Sequence, residues 1–353
     1  MTTDAYFDIR NLVSSSGKLV CCPVLGCTAP LGKAPYSRKI EKPYCPSHQI
    51  RIHSHTFAYY NGQDTTSKQT AALRNILFER DYFKDHILGN ATKAETHRIC
   101  HENSEDAFTW NMFSRLARGE LLPKLLSTLT KLSLKNKPEL YLWGLKISLD
   151  DSSPPELFPA LKCARDDVFE KDIKHFKTEP DIMLYVPGQL LVLAEAKFTS
   201  GNTIALTGTS KDVAQEKPKS REGILRRYHP STLPECSLPE PPAAGPFYSQ
   251  LYRNLVFAMW MANKLGVKWG VVNLVSEKQF QQRQDKVEFQ DPTQFIHSCL
   301  PEKSRGQFLF YSWEQLYSDH VADTPELNDL AEYMRNKSAN GEKALAVGGG
   351  ESI

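Results

Sequence analysis

Residues 179–198 read EPDIMLYVPGQLLVLAEAKF, and the fold turns on how this stretch is read. It is apolar on both sides of Pro187-Gly188, a strong turn dipeptide, so it divides into two short strands, Asp181–Val186 and Leu190–Phe198, joined as a hairpin. Strand side chains alternate faces, which puts Glu195 and Lys197 on the same side. With Pro187, Gly188 and Gln189 as the loop, Val186 pairs with Leu190, and counting back sets Asp181 opposite Glu195. Directly opposed residues bring their Cβ atoms to about 4.5–5.5 Å. Two carboxylates facing each other on an apolar hairpin repel, and burial sharpens the conflict. A hard cation such as Mg2+ removes it, since such an ion takes oxygen ligands and often only one or two carboxylates. Lys197 then lies beside the pair, where it can orient a water or stabilise charge on a pentavalent phosphorus. The plainer reading of the same residues is a surface hairpin with a cross-strand salt bridge.

The pattern Pro180-Asp181…Glu195-Ala196-Lys197 resembles the signature of the PD-(D/E)xK nuclease superfamily, the restriction-endonuclease-like fold. The resemblance implies an α/β core running helix, three strands, helix, strand (αβββαβ), with a mixed central sheet flanked by helices. It also implies Mg2+ (or Mn2+) held by Asp181, Glu195 and the Ala196 carbonyl, with Lys197 completing the catalytic set. The implied reaction is phosphodiester hydrolysis, usually of DNA. The likeness covers roughly residues 100–275 and leaves the N-terminal and C-terminal portions unexplained.

The chain has 353 residues, enough for one large or two ordinary domains. Its apolar fraction of 41% and charged fraction of 24% are those of a soluble globular protein. Net charge is only +2, from 43 basic against 41 acidic residues, so any nucleic-acid surface is local rather than global. No apolar run reaches about 18 residues, and MTTDAYFDIR lacks a basic-then-apolar signal pattern. A cytoplasmic protein with reduced thiols is expected.

Residues 18–48 carry a second motif. Cys22 and Cys27 form one close pair, Cys45 and His48 another, and the span between them is polar and rich in Gly and Pro. Three thiolates and one imidazole satisfy tetrahedral Zn2+. Cys21 can stand in for Cys22, and His53 or His55 for His48. A segment this short cannot bury a core of its own, so metal would supply its folding energy. Lys33, Arg38, Lys39, Lys42 and Arg51, interleaved with Tyr36 and Tyr44, make either a phosphate-facing surface or an ordinary solvated face.

The rest of the chain follows as expectations. Residues 66–88 have helical spacing, and Ser104 caps a helix over Glu105–Arg118 with Phe108, Met112, Phe113 and Leu116 buried. By the resemblance, that helix donates an acidic residue to the metal. Glu105 is the choice and Glu102 the reserve, although acidic residues in a first turn also serve the helix dipole. A helix over 121–134 and a strand over Glu139–Leu149 come next, and Asp150–Thr178 is expected to cross the surface with Asp166, Asp167 and Asp172 solvated. Thr199–Pro246 is read as a long irregular loop that either closes over a phosphodiester backbone with Arg221, Arg226 and Arg227 or is a charged insertion with no such role. Residues 247–265 form a helix with Leu251, Leu255, Ala258, Met259 and Ala262 on the core face, ended by Gly266. Gln250 and Arg253 on that helix are candidate substrate contacts by the resemblance. Lys268–Ser276 and Gln307–Tyr311 are strands, Trp313–Asp319 and Pro325–Asn336 helices, and the tail from Lys337 is expected to be disordered.

The expected organisation is a zinc-finger-like module at 1–60, a helical connector at 61–100, a nuclease-like domain at 101–320, and a C-terminal helix and tail at 321–353. The expected function is metal-dependent hydrolysis of double-stranded DNA in restriction, phage defence or repair, as a homodimer or within a defence or repair complex. A non-cleaving factor that binds nucleic acid or protein on the same scaffold is the alternative, as is an RNA-directed nuclease.

Overall fold

The hairpin forms where its apolar runs and turn residues dictate. The structure is a computed structural model describing residues 20–24, 26–33, 43–53, 56–59, 65–88, 98–151, 153–174, 177–205, 220–229, 238–239, 241–243, 245–284, 291–339 and 342–347. In chain order come β1 (Gly32–Lys33), β2 (Pro43–Cys45), β3 (Ile50–Ile52), β4 (Phe57–Tyr59), α1 (Thr65–Leu73), α2 (Arg80–Tyr82) and α3 (Glu105–Arg118). There follow α4 (Leu122–Thr130), β5 (Glu139–Leu142), β6 (Leu145–Lys146), α5 (Pro159–Cys163), β7 (Ile182–Val186) and β8 (Leu190–Lys197). Next are α6 (Arg221–Tyr228), α7 (Ser249–Leu265), β9 (Lys268–Val275), α8 (Glu277–Gln284), α9 (Pro292–Ser298) and β10 (Phe308–Ser312). The chain closes with α10 (Trp313–His320), α11 (Asn328–Asn336), β11 (Ser338–Ala339) and β12 (Glu342–Lys343).

The chain divides into two compact units. One comprises Met1–Gly119, Ser276–Gln279 and Trp313–Ile353, the other Glu120–Val275 and Phe280–Ser312. This partition does not follow the expected sequential division, because α3 groups with the N-terminal strands and the C-terminal helices.

The second unit is built on a mixed sheet of order β10-β9-β8-β7-β5-β6. Strands β8, β9 and β10 run parallel, while β7 and β5 continue the sheet antiparallel. Every residue of β8 is buried, as a central strand covered on both faces requires. Helix α7 packs on β8 and β9, and Gly266 ends it in the left-handed conformation at φ 65°. Its buried set is wider than the expected stripe, taking in Tyr252, Val256, Phe257 and Met261, with Met259 only half-buried. The reason is a third layer, since α5, α6 and the π-helical turn Ala164–Phe169 cover the outer side of α7. Phe169 meets Phe257 with ring centroids 5.1 Å apart.

Three expectations for this unit need correction. Glu139–Leu149 is not one strand but the hairpin β5–β6, turned at Trp143 (φ 55°) and Gly144 (φ 84°). A Cβ on Gly144 would lie 2.5 Å from Leu161 Cδ2, so close packing as well as backbone angle calls for glycine there. Asp150–Thr178 is not a surface crossing, because it forms α5 and the π-helical turn and buries Leu161, Ala164, Arg165, Phe169 and Glu170. Thr199–Pro246 is not wholly irregular, since Ser220 caps α6 by accepting from the Gly223 amide at 3.1 Å.

In the first unit, β1-β2-β3-β4 form an antiparallel sheet with a small apolar core of Ile50, Ile52, Phe57, Tyr59 and Ala71. That core corrects the view that metal alone would hold the N-terminal segment. The helix expected over 66–88 breaks after Leu73 and resumes past Glu79, which sits at φ 51°. Helix α3 is capped by Ser104 and buries Phe108, Met112, Phe113 and Leu116 as expected. The tail from Lys337 is not disordered where it is described, because β11 and β12 pair and Lys337, Ala344 and Leu345 are buried.

Candidate active site

The hairpin register is the expected one. Val186 pairs with Leu190 and Ile182 with Ala194, so one further step brings Asp181 level with Glu195. Gly188 at φ 70° makes the turn, and the Gln189 amide donates to the Val186 carbonyl at 3.0 Å. Asp181 lies just outside the strand and turns its carboxylate across, so that Oδ2 accepts from the Ala196 amide at 2.9 Å. Glu195 and Lys197 are 2% and 6% exposed, with Lys197 Nζ 2.7 Å from Glu195 Oε1. The other oxygen of Glu195 accepts from Asn254 Nδ2 of α7 at 2.8 Å. Leaving the parallel strand β8, the chain then brings Asn202 to Asn273, Nδ2 to Oδ1, at 3.0 Å, and Asn273 is the β9 partner of Glu195 in register. The polar groups thus gather at the carboxyl ends of β8 and β9, where open α/β sheets place their ligands.

Sequence reasoning reached Asp181, Glu195 and Lys197, and the spacing of Gln250, Arg253 and Asn254 puts those three on one helix face, but it did not reach Asn202 and Asn273. Asparagine carries no periodic signal, and only burial at 254 and 273 reveals these side chains. Chemically, the ammonium and the amide compensate one buried carboxylate, and the backbone amide engages the other. A divalent ion would take both carboxylates and the adjacent Ala196 carbonyl, completing its shell with water. The donors are hard oxygens, as Mg2+ prefers, but Glu195 Oε1 faces Lys197, so the ion must share that oxygen or displace the ammonium.

A buried carboxylate that the sequence did not reveal stands behind this site. Glu170 accepts from the Thr178 amide at 2.7 Å, from the Thr178 hydroxyl and from the Tyr228 hydroxyl at 2.6 Å. Burial and the neighbouring Glu170 push the Tyr228 phenol up, so it stays a neutral donor. Thr178, held in this way, lies just before Glu179-Pro180-Asp181.

The expected substrate contacts fall into different environments. Arg253 donates Nε to the Ser249 carbonyl at 3.2 Å, and its Nη1 is sealed from solvent with no hydrogen-bond partner. Burial lowers its pKa, which Glu170 and Glu195 partly offset. Gln250 Oε1 accepts from the Thr203 hydroxyl at 2.6 Å. Arg221 donates to the carbonyls of Pro241 (2.9 Å) and Ala243. Arg227 grips Asp172 in a fork, Nη2 to Oδ2 at 2.7 Å, and donates to the Phe169 carbonyl at 3.1 Å. Asp166 pairs with Lys177, so it and Asp172 are committed rather than simply solvated. Arg226 is exposed.

Glu105 occupies the first turn of α3, in the first unit, whereas Asp181, Glu195 and Lys197 belong to the second. Its reserve Glu102 is 1% exposed and forms an ion pair with Lys337 at 3.5 Å, Oε1 to Nζ.

The first unit also carries the Cys22, Cys27, Cys45 and His48 cluster, whose ligand atoms all lie within 4.8 Å of one another. The separations are 3.8 Å for Cys27 Sγ to Cys45 Sγ, 3.5 Å for Cys22 Sγ to His48 Nδ1 and 3.6 Å for Cys45 Sγ to His48 Nδ1. Tetrahedral zinc with bonds of about 2.3 Å to sulfur and about 2.05 Å to nitrogen requires edges of about 3.8 Å and about 3.5 Å. The four side chains can therefore hold a metal ion with little movement. Gly26, at φ 75°, makes the turn between the first two ligands. Burial pushes the Cys22 thiol up, and a bound cation would reverse that. The alternative Cys21 is exposed and outside the cluster, and the half-buried His53 is outside it too. Tyr36, Arg38, Lys39, Lys42 and His55 lie outside the described residues.

No helix among the described residues is long and apolar enough to cross a membrane. Comparison with family models, curated proteins and solved structures gives no match to this chain.

Proposed function

We propose that this chain is a metal-dependent nuclease of the PD-(D/E)xK type, built on a restriction-endonuclease-like core and cutting double-stranded DNA. The observation that carries the reading is the half-buried Asp181 standing in register with Glu195 at one hairpin end, beside the buried Glu195–Lys197 pair. Asp181, Glu195 and the Ala196 carbonyl would hold Mg2+ or Mn2+. When bound, the ion would supply Lewis acidity toward a phosphate oxygen and lower the pKa of a bound water. Lys197 would stabilise the charge that grows on the phosphorane oxygens, a role suited to an ammonium already held at low dielectric. Asn254 would keep the Glu195 carboxylate oriented through its 2.8 Å bond. Glu170 would fix the segment that delivers Asp181.

In this reading the Cys/His cluster holds zinc and stabilises the N-terminal sheet, and the protein works in the cytoplasm in restriction, phage defence or repair. A homodimer or a defence or repair complex is the expected assembly.

One observation favours a second reading. Lys197 is buried against Glu195, and Asp181 is engaged by a backbone amide, an arrangement that also suits a scaffold that binds nucleic acid or protein without cutting.

The test is cleavage of linear, circular and single-stranded DNA and of RNA with Mg2+, Mn2+ or EDTA, by the wild type and by Asp181→Ala and Lys197→Ala. Metal-dependent cutting lost in both variants supports the nuclease. Binding without cutting, unchanged in both variants, favours the scaffold. Preference for RNA would redirect the substrate assignment.

A further inference from the structure

We propose that a cavity between the π-helical turn Ala164–Phe169 and α6 binds one phosphate of the nucleic-acid strand, with Lys171 and Arg226 as its cations. The inference deepens the nucleic-acid reading above and rests on it for the identity of the ligand. The cavity has a volume of about 250 Å³ and is lined by Phe169, Lys171, Asp172, Gly223, Arg226 and Arg227, among others.

The charges around it are not equivalent. Arg227 is neutralised where it stands, because its guanidinium forks onto Asp172 and also donates to the Phe169 carbonyl. That guanidinium holds the Asp172 carboxyl down at about 2, so the pair stays intact at any ordinary pH. Arg227 and Asp172 therefore form a fixed wall. Lys171 and Arg226 are exposed, and neither has a hydrogen-bond or ion-pair partner among the described residues. The rim carries two cations outside any ion pair, although Lys171 also helps to hold the Asp172 carboxyl down, in a chain whose net charge is only +2. A local surplus of this kind is what a near-neutral protein needs to hold a phosphodiester backbone.

The two cations are also held in a set relation. Lys171 follows Glu170 directly, and Arg226 lies two residues before Tyr228, whose hydroxyl donates to Glu170. One buried carboxylate thus ties both backbones together, so a phosphate finds the two attachment points already spaced and only the side chains remain to be ordered. The same carboxylate fixes Thr178, just ahead of Asp181. A strand seated in the cavity would be registered against the proposed metal site through a rigid connection.

The experiment measures duplex DNA affinity against salt in an Asp181→Ala background, without added divalent metal, for Lys171→Ala, Arg226→Ala and the double variant. Lys162→Ala, an exposed lysine on α5, is the control. The double variant is expected to flatten the slope of log affinity against log salt by about 0.9, one phosphate contact. Its affinity deficit should then shrink about threefold between about 50 and about 200 mM salt. Thermal melts check that the variants fold. An unchanged slope overturns the proposal, as does an equal effect from Lys162→Ala. If inorganic phosphate protects the fold through Arg226 while the DNA slope is unchanged, the cavity is a free-phosphate site and the proposal falls. Loss of cleavage in the Asp181→Ala variant alongside an unchanged slope leaves the nuclease standing without this site. A flattened slope in a protein that cuts nothing keeps the phosphate site and removes the nuclease.

Discussion

Replacing Lys197 by alanine tests how the carboxylates of the hairpin are balanced. The ammonium lies 2.7 Å from Glu195 Oε1, and both side chains are almost wholly buried. Removing one member of a buried pair costs about 3–5 kcal/mol, since the remaining charge loses its partner without regaining water. Asn254 still donates to the second oxygen of Glu195, so the lower end, about 3 kcal/mol, is expected. In a unit of this size that is a fall in Tm of about 6–12 °C without added Mg2+. Glu195→Gln restores a neutral site, so Glu195→Gln/Lys197→Ala should lose less than the two single changes together, by at least about 1 kcal/mol. The assay is urea unfolding of all four proteins in a double-mutant cycle, repeated with Mg2+. With the ammonium gone, Mg2+ should stabilise Lys197→Ala at least as much as wild type, by about 2.7 kcal/mol at a hundred times its Kd. Single-variant costs that add within about 0.5 kcal/mol would refute the pairing argument. Equal Mg2+ stabilisation of wild type and Glu195→Gln would show that the ion is held elsewhere.

Three further outcomes are expected. The purified protein should carry about one zinc per chain, and Cys45→Ser or a strong chelator should remove it; elemental analysis and far-UV circular dichroism report both, and metal-free wild type with unchanged spectra would reject the site. Gly144→Ala combines positive φ with a Cβ 2.5 Å from Leu161 Cδ2 and should cost about 2–4 kcal/mol in urea unfolding; a loss under about 0.5 kcal/mol would mean the hairpin turn yields freely. The Arg227 guanidinium lowers Asp172 to about 2 from the 3.8 of a free carboxyl, so the pair's contribution is present above pH 4 and fades as pH falls toward 2. Because Asp172 is half-exposed, Asp172→Asn should cost no more than about 1 kcal/mol at pH 7, and the difference from wild type should close only as pH falls below about 2.

The parts of the molecule legible in the sequence were those with a local physical signature. Pro187-Gly188 between two apolar runs fixed the register that brings Asp181 level with Glu195. The spacing of Cys22, Cys27, Cys45 and His48 announced a cluster, because four soft ligands so disposed have few other uses. What stayed hidden depended on distant residues. Trp143-Gly144 turns the chain in the middle of an apolar run, and the need for glycine comes from Leu161, on a helix formed later. Glu170 looks like any charged residue in its segment until Thr178 and Tyr228 surround it. Lys337 sits at the head of a Gly- and Ala-rich tail, yet Glu102 buries it. Asn254 and Asn273 sit on a helix and a strand that were both expected, but nothing local marks the Asn254 amide as the one that donates to Glu195 or the Asn273 amide as a partner of Asn202.

The interleaving of the two units has a consequence for synthesis. The second unit is nearly continuous, from Glu120 to Ser312, and can complete its sheet while the last residues are still being translated. The first unit cannot, because its closing contacts join opposite ends of the chain: Lys337 reaches the Glu102 carbonyl across 235 residues. Its N-terminal portion must wait on the ribosome, with Glu102 lacking its cation and α3 lacking its cover, until α10 and α11 emerge. A chain truncated before Lys337 would therefore be expected to fail at its beginning, with proteolysis starting in the N-terminal strands rather than at the cut.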